Sequence, residues 1–266
     1  MSRAIECVVS FSGGAQSFVA AQRAIARYGA SATRLVFADT SAEDADLYRF
    51  LSDAQRVLGA ELVTLRDGRT PRDVLRQRRF LGSGRGAPCS KLLKRDPLDR
   101  WIAANAPDAV LIVGLSWDEP HRIEAITARI GVGRVWAPLA DPPYLSRDAV
   151  FQAVADAGIA LPRLYAKGYA HNNCGGACVR AGQGAWAHLL TDNPALFSEW
   201  EAWEQEMRAE IGAHAILRDR TGGASRPLPL VELRRRVEGQ PDAVDLFDIG
   251  GCGCLVDDEP MTTGDE

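Results

Sequence analysis

Short apolar runs alternate with longer segments of helical periodicity over residues 5–161 of the chain. The short runs predict five strands, at Ile5–Ser10, Arg34–Ala38, Glu61–Leu65, Ala109–Gly114 and Val135–Ala137. The longer segments predict five helices, at Ala15–Tyr28, Glu43–Leu58, Pro71–Arg79, Ser90–Asn105 and Pro120–Ile130. Strands that alternate with helices predict an α/β fold, a doubly wound parallel five-stranded sheet whose ligand site lies at the carboxyl ends of the strands.

The strand pattern stops near Leu161, and the remaining sequence predicts a helical, cysteine-containing appendage. Further helices are expected at Ala177–Leu190, Pro194–Ile211 and Val231–Val237, with a loop over Arg218–Arg226. Phe197, Trp200 and Trp203 recur at three-residue spacing, which favours core packing. We therefore predict a sheet domain over residues 1–165, a cysteine-rich appendage over 166–256 and a disordered acidic tail over 257–266.

Composition narrows the classes of protein that are possible. With 46% hydrophobic and 25% charged residues among 266, the chain is neither disordered throughout nor fibrous. The net charge of −4 argues against a uniformly basic protein that coats nucleic acids. No apolar run reaches the ~18 residues that span a bilayer, and the amino terminus enters a predicted strand without a signal segment. We expect a cytoplasmic protein with no membrane segment, whose six cysteines are reduced or bind metal.

Two adjacent glycines flanked by serines join the first strand to the first helix. This segment, Ser10-Phe11-Ser12-Gly13-Gly14-Ala15-Gln16-Ser17, suits phosphate binding because glycine admits a close approach and a helix start offers unpaired N–H groups. A tight turn capped by Ser12 is the alternative interpretation. The sequence has neither the Gly-x-x-x-x-Gly-Lys pattern nor the Gly-x-Gly-x-x-Gly pattern.

The Ser-Gly-Gly-x-x-Ser pattern resembles the pyrophosphate-binding loop of the PP-loop superfamily of adenine-nucleotide hydrolases. Further segments resemble its phosphoadenosine phosphosulfate reductase-like branch over roughly residues 5–180. They are Phe37-Ala38-Asp39-Thr40, Cys89-Ser90-Lys91 with Asp96-Pro97-Leu98, Gly114-Leu115-Ser116-Trp117-Asp118-Glu119 with Arg122, Leu164-Tyr165 with Gly168, and Cys174 to Cys178.

The resemblance implies a nucleotide-binding domain of the HUP/PP-loop type and a set of site residues. ATP or another adenine nucleotide, with Mg, would bind Ser10, Ser12, Gly13, Gly14, Ala15, Gln16, Ser17, Asp39, Thr40, Lys91, Gly114 and Arg122. Glu119 is a candidate catalytic residue of the same motif. His171, before Asn172-Asn173, is a candidate acid or base, although this segment also suits a turn.

The sequence also departs from the family pattern. Ala15-Gln16 stands where many relatives have Lys-Asp, and Ser116 stands at the arginine of the Gly-x-Arg motif. The reductases end in Glu-Cys-Gly-Leu-His, whereas this chain carries Gly251-Cys252-Gly253-Cys254-Leu255. These differences shift the preference from the reductase reaction towards ATP-dependent sulfur transfer.

The cysteines form the second candidate site. Cys7, in the first strand, is expected to be a buried apolar residue. Cys89, Cys174 and Cys178 occupy positions at which related adenylylsulfate reductases bind an iron–sulfur cluster, and Cys252 would complete the shell, leaving Cys254 as a candidate catalytic thiol. Four cysteines fit a 4Fe-4S cluster or zinc, and reduced thiols without a metal are a third option.

Residues 66–100 hold 11 Lys and Arg against 4 Asp and Glu, a local charge of +7 within an acidic chain. The segment suits an anion-binding rim that would contact nucleotide phosphates or a tRNA, DNA or nucleotide acceptor. A solvated helix face of mixed charge is the alternative. Members of the rim would be Arg76, Arg78, Arg79, Arg85, Lys91, Lys94 and Arg95.

Three functions follow from these features. The first is adenylation of a nucleic acid or nucleotide by ATP, followed by sulfur transfer from a donor protein, with an iron–sulfur cluster. The second is reduction of a sulfonucleotide through a tail cysteine. The third is a non-catalytic nucleotide-binding subunit of a DNA-modification or defence complex. The sequence is also compatible with a homodimer.

Overall fold

The structure is a computed structural model, and it describes residues 4–82, 87–220 and 224–250. Five strands form one parallel sheet in the order β3-β2-β1-β4-β5, which confirms the predicted fold class. The strands are β1 (Cys7–Ser10), β2 (Thr33–Asp39), β3 (Glu61–Arg66), β4 (Val110–Ile112) and β5 (Val135–Trp136). β1 pairs with β2 on one side and with β4 on the other, so the winding direction reverses between β1 and β4. Ligands of such sheets bind at the carboxyl ends of the strands, where the winding reverses.

Helices cover both faces of the sheet. The helices of this half are α1 (Ala15–Tyr28), α2 (Ala45–Leu58), α3 (Pro71–Gln77), α4 (Asp96–Asn105), α5 (Pro120–Ile130), α6 (Arg147–Asp156) and α7 (Arg163–Ala166). Phe18, Phe50 and Val154 from α1, α2 and α6 share one core with the sheet. Leu98 and Ile126 from α4 and α5 pack in a second core with Val8 and Val36 of the sheet. The sheet is therefore enclosed between two layers, as its nearly continuous apolar strands require.

Local signals explain why most predicted bounds agree with the structure. The carboxylate of Asp44 accepts the Asp46 backbone N–H before α2, and Gly59 ends that helix at a φ of 65°. Thr70 and Asp73 form a capping box before α3. The predicted helix over Ser90–Asn105 begins instead as a π-helical turn, Ser90–Arg95, and continues as α4. The sequence analysis did not predict α6 and α7 as helices.

The remaining helices are α8 (Gln183–Asp192), α9 (Pro194–Ile211) and α10 (Leu230–Gly239). The helix predicted from Ala177 thus begins six residues later, because Cys174–Gly176 forms a short 3-10 turn in which Gly175 and Gly176 have positive φ. The prediction that strands end near Leu161 was wrong. Strands β6 (Leu217–Asp219) and β7 (Arg226–Leu228) form an antiparallel pair at the ends of the predicted loop.

The core of the carboxyl-terminal half includes residues from the middle of the chain. Leu75 and Leu93 pack in one buried cluster with Trp186, Phe197 and Leu230. Trp200 and Trp203 belong to the same cluster, which confirms that these aromatic residues are part of the core. The cluster therefore packs the carboxyl-terminal helices against α3 and the π-helical turn. In the part of the chain that the structure describes, no helix has the length and apolar character needed to cross a membrane. The predicted disordered tail lies outside the described residues.

Candidate functional site

The phosphate loop connects β1 to α1 at the reversal point of the sheet. Gly13 has a φ of 73°, and a Cβ there would lie 2.5 Å from a methyl carbon of Leu47, so this position requires glycine. Ser17 donates its hydroxyl hydrogen to the Gly14 carbonyl at 2.8 Å. Gly14, the N-cap residue, has no side chain to cap α1, and the first turn of the helix carries no acidic residue. The first N–H groups of α1 thus remain suited to an anion.

Gly114 follows β4 and lies against the same helix start. A Cβ on Gly114 would approach both the N and the Cα of Ser17 to 2.8 Å. The loop after Gly114 is tied to the phosphate loop, since the Gln16 side chain donates to the Ser116 hydroxyl at 3.4 Å. Glu119 forms an ion pair with Arg122 and accepts the Ser116 backbone N–H. These contacts bring the loops that follow β1 and β4 together, as expected for adjacent parallel strands.

A pocket opens at this point and is named here the loop pocket. Its lining includes the apolar side chains of Val36, Phe37, Leu98 and Leu115. It also includes glycines and polar residues, namely Ser10, Ser12, Gly14, Gln16, Ser17, Gly114, Glu119, Arg122, Tyr165, His171, Asn172 and Asn173, together with Lys94. A lining of both kinds suits a ligand that carries a flat ring and anionic groups.

Other predicted nucleotide-binding residues lie outside the lining of the loop pocket. Gly13 and Ala15 are buried in the loop itself, and the Ala15 N–H points to the Tyr165 hydroxyl at 3.4 Å. Thr40 lines a neighbouring pocket. Lys91 lines neither pocket and is 58% exposed, with its ammonium group 2.8 Å from Asp96.

Asp39 is fully buried at the end of β2 and serves as an ion-pair partner. Its carboxylate accepts hydrogen bonds from Arg66, from the Ser41 backbone N–H and from the Tyr48 hydroxyl. Burial would raise the pKa of Asp39, but these hydrogen bonds hold it below its usual value. Burial and the Asp39 carboxylate raise the pKa of Tyr48 to about 12. Asp39 thus stabilises the strand end that borders the loop pocket.

Cys89, Cys174 and Cys178 lie together, although they are far apart in the sequence. They line a second, smaller pocket, named here the cysteine pocket, with Thr40, Lys94 and Trp200. A hydrogen bond with Cys178 and burial raise the pKa of the Cys174 thiol well above its usual value. Lys94 opposes this rise, and Glu43 adds to it. Cys7 is fully buried in β1, as expected.

The expected metal site is incomplete in the part of the chain that the structure describes. No group of three or more His, Cys, Asp or Glu side chains there is arranged to hold a metal ion. Cys252, the predicted fourth ligand, and Cys254 lie outside the described residues. Cys89, Cys174 and Cys178 are thus the predicted ligands that the structure brings together, in the cysteine pocket.

Lys94 lies at a place that the sequence analysis did not predict. It is only 16% exposed on its side chain and lines both the loop pocket and the cysteine pocket. The sequence analysis placed Lys94 on the basic rim and selected Lys91 for the nucleotide. The π-helical turn gives these two lysines different directions, and the sequence carries no signal for that turn. Tyr165 was likewise not assigned a role at the pocket, whereas the segment His171-Asn172-Asn173 was expected to hydrogen-bond a substrate or a cluster sulfur.

Acidic residues of α9 pair with two arginines of the 66–100 segment, of which Arg76 belongs to the basic rim. Arg76 pairs with Glu206 at 2.6 Å, and Arg72 lies 3.5 Å from Glu199. Arg79 donates to the Glu210 backbone carbonyl at 2.7 Å, and Arg95 is buried. Arg85 lies outside the described residues. Part of the local excess of positive charge is thus paired with acids that follow more than 100 residues later in the sequence.

The family model for the phosphoadenosine phosphosulfate reductase domain matches residues 6–174. The chain belongs to this family. The match covers the sheet, the loop pocket and the first two cysteines of the cysteine pocket, and it confirms the resemblance inferred from the motifs. The family is generally enzymatic and binds adenine nucleotide substrates. No curated protein matches the chain significantly.

Proposed function

We propose that the protein binds ATP in the loop pocket, adenylates an acceptor and transfers sulfur to it at the cysteine pocket. The observation that carries this proposal is Lys94, which lines both pockets. A reaction that activates an acceptor next to the nucleotide and then replaces the leaving group with sulfur requires two such adjacent sites. The thiols of Cys89, Cys174 and Cys178 line the second of these sites, where the sulfur to be transferred would be bound.

The lining of the loop pocket supports one orientation of the nucleotide. The adenine ring would contact apolar lining residues such as Phe37 and Leu98, and the pyrophosphate would contact Ser12, Ser17 and the first N–H groups of α1. Lys94 and Arg122 would provide the positive charge that the loop lacks at Ala15-Gln16. The nucleotide would enter as its Mg²⁺ complex.

The chemistry in this proposal has two displacements. An oxygen of the acceptor attacks the α-phosphorus of ATP, and pyrophosphate leaves. A sulfur nucleophile then attacks the activated atom of the acceptor and expels AMP, which is a better leaving group than the original oxygen. His171, exposed on the lining of the loop pocket, would accept the proton of the acceptor, while Glu119 orients Arg122.

The iron–sulfur cluster, with zinc as the alternative, is a separate part of the proposal. Cys89, Cys174 and Cys178 would be its ligands, and Cys252 would have to join them. When bound, a cluster would supply a sulfur-binding or redox centre beside Lys94. The raised pKa of Cys174 favours the neutral thiol in the metal-free protein, so metal binding would release a proton. Metal and sulfide analysis of anaerobically purified protein tests this part.

The acceptor has two candidate surfaces. The pairing of the basic rim with α9 weakens the case for a tRNA or DNA backbone bound there. Trp117 and Tyr144 are 55% and 59% exposed and lie in contact, with ring centroids 6.0 Å apart. Trp117 follows Ser116, which contacts Gln16 of the phosphate loop. We therefore propose that a nucleobase of the acceptor stacks on this aromatic pair. The reaction would take place in the reducing cytoplasm.

Sulfonucleotide reduction is the second candidate, and the name of the matching family model favours it. In that reaction a thiolate, with Cys254 as the candidate, attacks the sulfur of the sulfonucleotide and releases the nucleotide. A second thiol then releases sulfite and leaves a disulfide, which an external dithiol must reduce. The same loop pocket would bind the nucleotide in both reactions.

One set of incubations separates these functions. The protein is supplied with ATP labelled at the α-phosphorus, alone and with bulk tRNA or plasmid DNA, and separately with phosphoadenosine phosphosulfate and a dithiol. AMP and pyrophosphate support adenylation, whereas sulfite supports the reductase. Nucleotide binding without any product supports a non-catalytic subunit. If calorimetry detects binding of neither nucleotide, both enzymatic proposals fail.

A further inference from the structure

Glu43 lies between the loop pocket and the cysteine pocket, with a side chain only 2% exposed. One carboxylate oxygen accepts the Thr40 hydroxyl at 3.0 Å and lies 3.4 Å from the Lys94 ammonium nitrogen. The other oxygen accepts the Cys174 backbone N–H at 2.7 Å. Thr40 and Cys174 line the cysteine pocket, and Lys94 lines both pockets. A single buried carboxylate thus connects Lys94, which lines the loop pocket, to a cysteine 80 residues later in the sequence.

The contact with Glu43 holds Cys174 in an unusual conformation. Cys174 has a φ of 51°, a left-handed conformation that is rare for a residue with a side chain. Gly175 and Gly176 follow with positive φ values, so the backbone around Cys174 offers little resistance to relaxation. The hydrogen bond to a buried carboxylate is of the strong, charge-assisted kind. The position of the Cys174 sulfur therefore depends on Glu43.

We propose that Glu43 is a positioning residue that fixes Cys174 relative to Lys94 and transmits nucleotide binding in the loop pocket to Cys174. The inference rests on the proposed nucleotide site. A phosphate that contacts Lys94 competes with Glu43 for its N–H groups. The carboxylate then retains Thr40 and the Cys174 N–H as its donors, and its bond to Cys174 strengthens because less of its charge is drawn to the lysine. Nucleotide binding should thus tighten the backbone at Cys174.

Two substitutions separate the two contacts of Glu43. Glu43→Gln keeps one carbonyl oxygen that can accept the Cys174 N–H, but it removes the charge that pairs with Lys94. Glu43→Ala removes both contacts. Glu61→Gln is the matched control, because Glu61 pairs with Arg34 on the sheet, and Glu61 lines neither pocket.

The measurement is hydrogen–deuterium exchange of the peptide that contains Cys174, on full-length protein with its metal content determined. Each variant is measured with and without α,β-methylene-ATP, an analogue that cannot release pyrophosphate. In the ligand-free wild type the Cys174 amide should exchange slowly, and the analogue should slow it further. Glu43→Ala should speed exchange by about tenfold or more, the effect expected from a lost hydrogen bond. Glu43→Gln should keep slow exchange but lose the response to the analogue, and Glu61→Gln should match the wild type.

The proposal is overturned if Glu43→Ala leaves Cys174 exchange unchanged, or if Glu43→Gln keeps the full response to the analogue. Should Glu43→Ala fail to fold, the response of Glu43→Gln decides the question. Calorimetry with the same analogue separates this inference from the proposed function. If the analogue does not bind to the wild type, the nucleotide site fails, while the ligand-free comparison of the variants still tests whether Glu43 positions Cys174.

Discussion

At the scale of single residues, the site depends on which side chains the backbone turns inward. Lys91 and Lys94 are three residues apart in one π-helical turn, yet one pairs with Asp96 at the surface and the other lines both pockets. The motif alone does not distinguish them. Asp39 shows the same limit, because its ion pair with Arg66 could not be read from the sequence around it. The phosphate loop was predictable because its glycines are required locally.

The two lysines provide a matched pair of substitutions. Lys94→Met should weaken ATP binding by about 10- to 100-fold, because it removes a charged hydrogen bond to phosphate. Lys91→Met should change the affinity by no more than about twofold, since Lys91 lines neither pocket. Isothermal titration calorimetry measures both, and thermal unfolding checks that Lys94→Met is folded despite the lost ion pair with Glu43. Equal effects of the two substitutions would contradict this assignment of Lys94.

At the scale of elements, the sheet and its helices were predictable, and the carboxyl-terminal connections were less so. The strands of the five-stranded sheet can be predicted from their apolar runs. β6 and β7 have only three residues each, and the sequence between them contains Gly and Arg. Glu204 of α9 holds this region together. It is fully buried, and its carboxylate accepts the Ile216 N–H at 2.8 Å and the Leu230 N–H at 2.6 Å. A buried acid that joins a helix to two distant backbone N–H groups leaves no periodic signal in the sequence.

Glu204 should give the protein a specific pH dependence of stability. Burial raises the pKa of Glu204 above 4.5, although the two backbone hydrogen bonds oppose the rise. The folded protein thus keeps this proton more readily than the unfolded chain, and the contribution of Glu204 to stability falls as pH rises from about 4.5 through the folded pKa. Glu204→Gln removes the titration and leaves one N–H without its acceptor, at a cost of about 1–3 kcal/mol.

The free energy of unfolding of the wild type and of Glu204→Gln, measured by urea unfolding from about pH 4.5 upwards, tests this pH dependence. The stability advantage of the wild type should shrink as pH rises. A difference that stays constant or grows with pH would show that burial does not control this carboxyl group.

At the scale of the whole molecule, charge and packing join the two halves of the chain. The +7 segment over residues 66–100 reads as an isolated basic patch in the sequence, but Glu199 and Glu206 of α9 pair with Arg72 and Arg76. The same segment contributes Leu75 and Leu93 to the carboxyl-terminal core. A one-dimensional sum of charges cannot foresee such pairing, because the partners are set by the tertiary fold. The predicted boundary near residue 165 therefore separates two patterns in the sequence but not two independent cores.

This shared core predicts that the sheet half does not fold stably alone. A fragment of residues 1–165 would lose the partners of Val74, Leu75, Leu81 and Leu93, which are all buried against later residues. Each such side chain contributes about 1.5–3 kcal/mol through burial, so the total loss approaches the 5–15 kcal/mol that stabilises a typical domain.

A fragment of residues 1–250 is the control. It retains the contact in which the Gly184 N–H donates to the Asp248 carbonyl at 2.9 Å. Size-exclusion chromatography and thermal unfolding should find the shorter fragment aggregated or without a cooperative transition, and the longer one folded. A cooperative transition in the shorter fragment at the temperature of the full chain would contradict the shared core, because it would show that the sheet needs none of these contacts.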